Sequence, residues 1–101
     1  MAEIVTVVTG SIARDRVSEV VDPYREALKD GPPPALKETF LLQGDGGQMA
    51  IVSLWHRRAD LDDMLASGEE PFARRLIRGA GGTSEVAIYE IVARAARSAA
   101  E

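Results

Sequence analysis

The chain has no cysteine and no asparagine, one tryptophan, one histidine and five aromatic residues in all among its 101 residues. Without cysteine there is neither a disulfide nor a thiolate nucleophile, which fits a reducing compartment. One histidine and no cysteine leave no ligand set for zinc or iron, so no metal and no cofactor is expected. Basic residues are also short: 12 Lys and Arg stand against 16 Asp and Glu, a net charge of -4. With no positive field to attract phosphates, nucleic acid and anionic membrane surfaces are not expected partners. No apolar run approaches the roughly 18 residues of a membrane span, and the first residues carry no signal core, so the cytoplasm is the expected location.

Several motifs are missing too. No Gly-x-Ser-x-Gly nucleophile elbow occurs. The stretch Gly79-Ala80-Gly81-Gly82 follows a helical segment and precedes a strand, the reverse of a phosphate loop, and lacks its lysine. Asp60, Asp62 and Asp63 do not have calcium-loop spacing and suit the first turns of a helix instead.

What remains is a composition 46% hydrophobic and 28% charged, ordinary for one globular domain that buries roughly 65% of its unfolded surface. We place that domain at residues 1–93 and an Ala/Arg-rich tail at 94–101. The β-branched run from Glu3 to Thr9 predicts a strand. Val17, Val20, Val21, Tyr24 and Leu28 have helical spacing within 14–29. Pro23 predicts either a kink near Val20 or a break capped by Asp22. Residues 36–43 and 48–56 flank Gly44-Asp45-Gly46-Gly47 and predict an antiparallel hairpin. Short helices are expected over 59–67 and from Pro71 to Arg78, and a last strand over 85–93. This order suits an α+β, ferredoxin-like four-stranded antiparallel sheet with helices on one face. The first and third strands are apolar on both faces, so the side away from the helices calls for another apolar partner, of which a second copy is the simplest.

Candidate site residues concentrate near the junction of the third strand and the helices. Trp55 offers a stacking face for a planar ligand, with core anchoring as the competing reading. His56, beside it, offers a general base near neutrality, with a solvated histidine as the alternative. Tyr24 and Tyr89 offer ligand hydrogen bonds or core packing with a satisfied hydroxyl. Glu38 and Glu90 read as raised-pKa carboxylates or as edge-strand charges. Arg57, Arg58, Arg74, Arg75 and Arg78 form a basic cluster suited to an anionic substrate, a dimer contact or a solvated face.

The segments Ile51-Val52-Ser53-Leu54-Trp55-His56, Leu61-Asp62-Asp63-Met64-Leu65-Ala66-Ser67, Pro71-Phe72-Ala73-Arg74-Arg75-Leu76 and Val86-Ala87-Ile88-Tyr89-Glu90-Ile91 resemble the antibiotic-biosynthesis-monooxygenase-like domains of the dimeric α+β barrel superfamily. That resemblance covers about Ile4 to Ala93. It implies a homodimeric barrel and a cofactor-independent monooxygenase-like protein acting on a small aromatic or quinol-type substrate. Of the candidate residues only Trp55 matches the family pattern; from the residues themselves, His56 is the candidate catalytic base and Trp55, Tyr24, Phe72 and Arg75 are the candidate ligand-binding residues. The haem-degrading branch of the family combines an Asn with the strand-end Trp and a His on the following helix. Only Trp55 matches here, which speaks against haem degradation. The alternatives on the same fold are a non-catalytic small-ligand-binding or interaction domain, and a cyclase or isomerase.

Overall fold

A computed structural model describes residues 3–68 and 71–95; most of the expected tail lies outside that range. Strand β1 spans Ile4–Ser11, where consecutive β-branched residues favour the pleated backbone. A single 3-10 turn at Arg14–Arg16 leads into helix α1, Ser18–Ala27. Pro23 lies inside α1, and the helix runs on without the break that Asp22 would have capped. The donor that Pro23 lacks would have bonded the exposed Glu19 carbonyl, which water can reach.

Strands β2, Leu36–Gln43, and β3, Gln48–Trp55, form the expected hairpin. Its connection is a short 3-10 turn in which Gly46 and Gly47 have φ of 68° and 86°. A Cβ on Gly47 would stand 2.0 Å from the Ile12 carbonyl oxygen. Only glycine lets that loop touch the end of β1, where Ile12 N–H donates to the Gly47 carbonyl at 2.9 Å. Helices α2, Arg58–Ala66, and α3, Phe72–Gly79, follow, and strand β4, Thr83–Glu90, closes the sheet. Strand β4 starts two residues earlier than its apolar pattern suggests, because Thr83 and Ser84 pair with Ser11 and Gly10.

The sheet is antiparallel in the order β2-β3-β1-β4. One face carries Ile4, Val8, Met49, Ile51 and Trp55, all buried beneath the three helices, which contribute Val20, Leu61 and Ile77. Gly10 allows α3 to come this close, since a Cβ there would sit 2.7 Å from Ile77 Cγ2.

The opposite face, which register assigns to Val5, Val7, Phe40, Leu42, Val52, Leu54, Ala87 and Tyr89, has no helix over it among the described residues. Phe40, Leu42 and Tyr89 are exposed to 38%, 50% and 59%. For Tyr89 this replaces core packing with exposure, because its strand position alternates it away from the helices. Glu38 and Glu90 are exposed on the two edge strands, where charge discourages edge-to-edge pairing.

Candidate functional site

The helix-facing side of the sheet holds two apolar clusters. One gathers Val8, Ile12, Val20, Met49, Ile51, Ile77 and Ala80, and the other Ile4, Trp55 and Leu61. Polar side chains lie across the sheet between them. Thr39 on β2 is register partner to Ser53 on β3, which is partner to Thr6 on β1. Thr6 and Ser53 are buried, at 7% and 9% exposure. Burial of hydroxyls is tolerated only with partners, and each has one. Trp55 Nε1–H donates to Thr6 Oγ1 at 3.0 Å. Tyr24 O–H donates to Thr39 Oγ1 at 3.0 Å, and Thr39 and Ser53 hydroxyls meet at 3.3 Å. Because Thr39 accepts from Tyr24, its own proton is available to Ser53, and the Ser53 proton is then the end of the chain.

A cavity of about 70 Å³ lies over the Thr39 and Ser53 end of this row, between sheet and helices. Its apolar walls include Leu36, Ile51, Phe72 and Leu76, and Tyr24 lines it as well. Next to it, toward solvent, lies a cleft of about 400 Å³ that also touches Tyr24, Leu28 and Thr39. A third hollow of about 600 Å³ sits over Thr9, Leu42, Ala50 and Glu85, at one end of the sheet, and does not include these hydroxyls.

The structure thus brings Tyr24 and Phe72 into one cavity. Arg75 joins them from outside, its guanidinium carbon 5.8 Å from the centre of the Phe72 ring, within cation–π range. Trp55 stands apart: it is 9% exposed, packs with Ile4 and Leu61, and lines neither the cavity nor the cleft. His56 follows the last residue of β3 and is exposed; its backbone N–H donates to the Ala35 carbonyl at 3.1 Å, and it too lies outside both spaces.

The arginine cluster is dispersed. Arg57 holds Asp60 at 2.8 Å and Arg58 holds Asp62 at 3.4 Å, each within α2 or at its start. Arg74 donates to Ser84 at 3.1 Å. The Asp60 carboxyl is held below its ordinary pKa chiefly by the hydrogen bond from Arg57. No cluster of His, Asp or Glu among the described residues is arranged to hold a metal ion.

Tyr24 is the one titratable side chain lining the cavity among the described residues. The remaining polar groups are neutral hydroxyls, able to orient a carbonyl or phenol oxygen but not to carry charge. Thr6, Thr39 and Ser53 are not singled out by any motif. Their signal is a small hydroxyl at an inward position of an otherwise apolar strand face, as Thr6 lies between Ile4 and Val8.

No family model matches the chain, and no curated protein matches it. Solved structures do. SnoaB, a cofactor-independent oxygenase from Streptomyces nogalater, superposes with a TM-score of 0.58 at 15% identity over 100% of both chains. An antibiotic biosynthesis monooxygenase superposes at 0.59 with 18% identity, covering 91% of this chain and 99% of that one. A protein of unknown function from Nitrosomonas europaea superposes at 0.67 with 12% identity over 97% of each. At these identities the likeness is one of architecture. This chain has the α+β, ferredoxin-like fold of the antibiotic biosynthesis monooxygenase structures: a four-stranded antiparallel sheet with three helices on one face.

Proposed function

We propose that the protein is a homodimeric, cofactor-independent monooxygenase acting on a small aromatic or quinol-type molecule held between sheet and helices. The observation that supports this is the cavity: apolar walls beside a chain of neutral hydroxyls, on a fold shared with a solved cofactor-independent oxygenase. At about 70 Å³ the cavity takes the oxygen end of the substrate, held by Tyr24 and Ser53, while the ring extends toward the adjoining cleft of about 400 Å³. Arg75 lies against Phe72 and restrains it. With an anthrone-type substrate, the ring CH2 and O2 give a carbonyl and one water, so the substrate supplies all the electrons. The protein contributes exclusion of water, orientation, and Tyr24 as the group that exchanges a proton with the substrate hydroxyl.

Oxygen uptake with a panel of hydroquinones and anthrones in chelated buffer tests the activity. Uptake that falls at least about ten-fold in Ser53→Ala, the loss of one positioning hydrogen bond to a reacting oxygen, is expected. No uptake with any member of the panel would overturn it.

One observation favours a second reading. His56 is in solvent and no carboxylate lines the cavity among the described residues, so a ligand-binding domain without turnover suits the same geometry. Mass spectrometry of molecules retained through purification, unchanged on aerobic incubation, selects that reading over the oxygenase.

The homodimer is supported by the helix-free sheet face, where Phe40, Leu42, Val52 and Leu54 form a continuous apolar surface. Light scattering at micromolar concentration is expected to give twice the chain mass, and Val52→Lys to give a monomer. A monomeric parent would overturn the dimer.

A further inference from the structure

The sheet has two open edges, and they are not alike. Strand β2 carries a register shift between Leu36 and Glu38, with Lys37 at the irregularity, and both features spoil an edge for pairing. Strand β4 has neither. From Thr83 to Glu90 it pairs with β1 residue for residue and contains no Lys or Pro. The Ile91 N–H donates to the Glu3 carbonyl at 2.9 Å, so by alternation Glu90, Ile88, Val86 and Ser84 turn their backbone N–H and C=O outward. None of these groups has a partner among the described residues.

The side chains along this edge are open as well. Val86 and Ile88 are in register with Val8 and Thr6 on the helix-facing side, yet stay exposed where those two are buried. At one end, Arg74 of α3 donates to Ser84 at 3.1 Å. At the other stands Glu90, with no hydrogen bond or ion pair among the described residues. The edge therefore carries a cation, then two apolar residues, then a carboxylate. A strip with that order complements itself when turned end for end.

We propose that β4 is a pairing edge for β4 of a second copy, antiparallel about a two-fold axis at Ala87. That register sets Val86 opposite the partner's Ile88, and Ser84 opposite the partner's Glu90, which then reaches Arg74. On the other side of the sheet Glu85 accepts from the hydroxyl of the partner's Tyr89. Moving the axis to Ile88 would set Glu90 against Val86, and moving it to Val86 would set Ile88 against Ser84. The carboxylate that discourages indiscriminate pairing thus selects one partner and one register. This contact is separate from the helix-free sheet face and does not rest on it; the two together give a tetramer.

One strand edge is a narrow interface, so the association is weak. Sedimentation equilibrium of Val52→Lys, in which the sheet face is blocked, is expected to show the mass doubling between about 10 μM and about 1 mM and stopping there. Glu90→Arg raises the midpoint concentration at least about ten-fold, because the two-fold axis repeats the ion pair, and Glu90→Arg with Arg74→Glu returns it to within about three-fold. Both positions are exposed, and circular dichroism checks that the variants keep the fold. With no other cysteine in the chain, a cysteine on the axis reports the register. Ala87→Cys faces its own copy in a non-hydrogen-bonded pair, with Cα atoms about 4.5 Å apart, and forms a covalent dimer on mild oxidation, whereas Glu85→Cys does not. A mass constant up to about 1 mM, or one that climbs past two-fold as pairing of β4 with β2 of another copy would give, would overturn the proposal. So would association indifferent to Glu90→Arg, a charge swap that restores nothing, or an Ala87→Cys protein that fails to cross-link.

Discussion

Replacing Thr6 by valine is the sharpest probe of the polar row, because it deletes one oxygen and little else. Thr6 Oγ1 accepts the Trp55 indole N–H at 3.0 Å, and both residues are under 10% exposed. Valine keeps the branched shape that suits β1 but leaves the indole N–H without a partner where water does not reach. Stranding a buried donor costs about 1–3 kcal/mol. The added methyl returns at most about 0.8 kcal/mol by apolar burial. The net loss is therefore between about 0.2 and 3 kcal/mol, with its centre at about 1–2 kcal/mol, at which Tm of a chain near 100 residues falls by roughly 5–15 °C.

The same substitution in a Trp55→Phe background has no indole to strand and is expected to cost under about 0.5 kcal/mol, a coupling of about 1 kcal/mol or more. Urea unfolding followed by far-ultraviolet circular dichroism measures all four proteins, since Trp55→Phe removes the only tryptophan and its fluorescence. One protein concentration throughout keeps any association constant. Equal costs of Thr6→Val in both backgrounds would refute the reasoning, because the hydroxyl would then not be serving the indole.

Two further perturbations test the frame around the site. Gly47→Ala forces a Cβ toward the Ile12 carbonyl at a φ of 86° and is expected to destabilise by at least about 2 kcal/mol, read from denaturant midpoints; a loss under ~0.5 kcal/mol would contradict the close approach. Glu3 has its carboxyl held below the ordinary value of 4.5, first by the hydrogen bond from Lys37 and with help from Arg94. A carboxyl with a lowered folded pKa adds stability that is present above its unfolded pKa and is lost as pH falls through the folded one. Stability measured from pH 6 down to pH 3 is therefore expected to fall less steeply in Glu3→Gln than in the parent, and parallel curves would remove Glu3 from the acid limb.

Much of the frame was legible because it rests on local chemistry. The β-branched run of β1, the glycines of the β2–β3 turn and the Pro71 start of α3 each name their own structure. Two local rules met a wider context. Of the kink or break expected at Pro23, the break did not occur, since the carbonyl it leaves unbonded belongs to an exposed residue. Tyr89 is not in the core, since its register with Val5 places it on the helix-free face.

The site was less legible than the fold. Tyr24 stood out in the sequence as an aromatic residue on the apolar stripe of the first helix, and it lines the cavity with Phe72. Thr6, Thr39 and Ser53 come from three strands, and only their register aligns them in a row.

The strand order has a consequence for how the molecule comes into being. Only the β2–β3 ladder joins neighbours in sequence, across a four-residue turn. The β1–β4 ladder pairs Ile4 with Glu90 and Ser11 with Thr83, separations that span most of the chain. Closing such distant pairs is slow, so the hairpin is the natural early nucleus. During synthesis the long edge of β1 stays unpaired on one side until Glu90 has emerged from the ribosome. For that interval the β-branched run from Ile4 to Thr9 is the segment most open to pairing with a strand from another molecule.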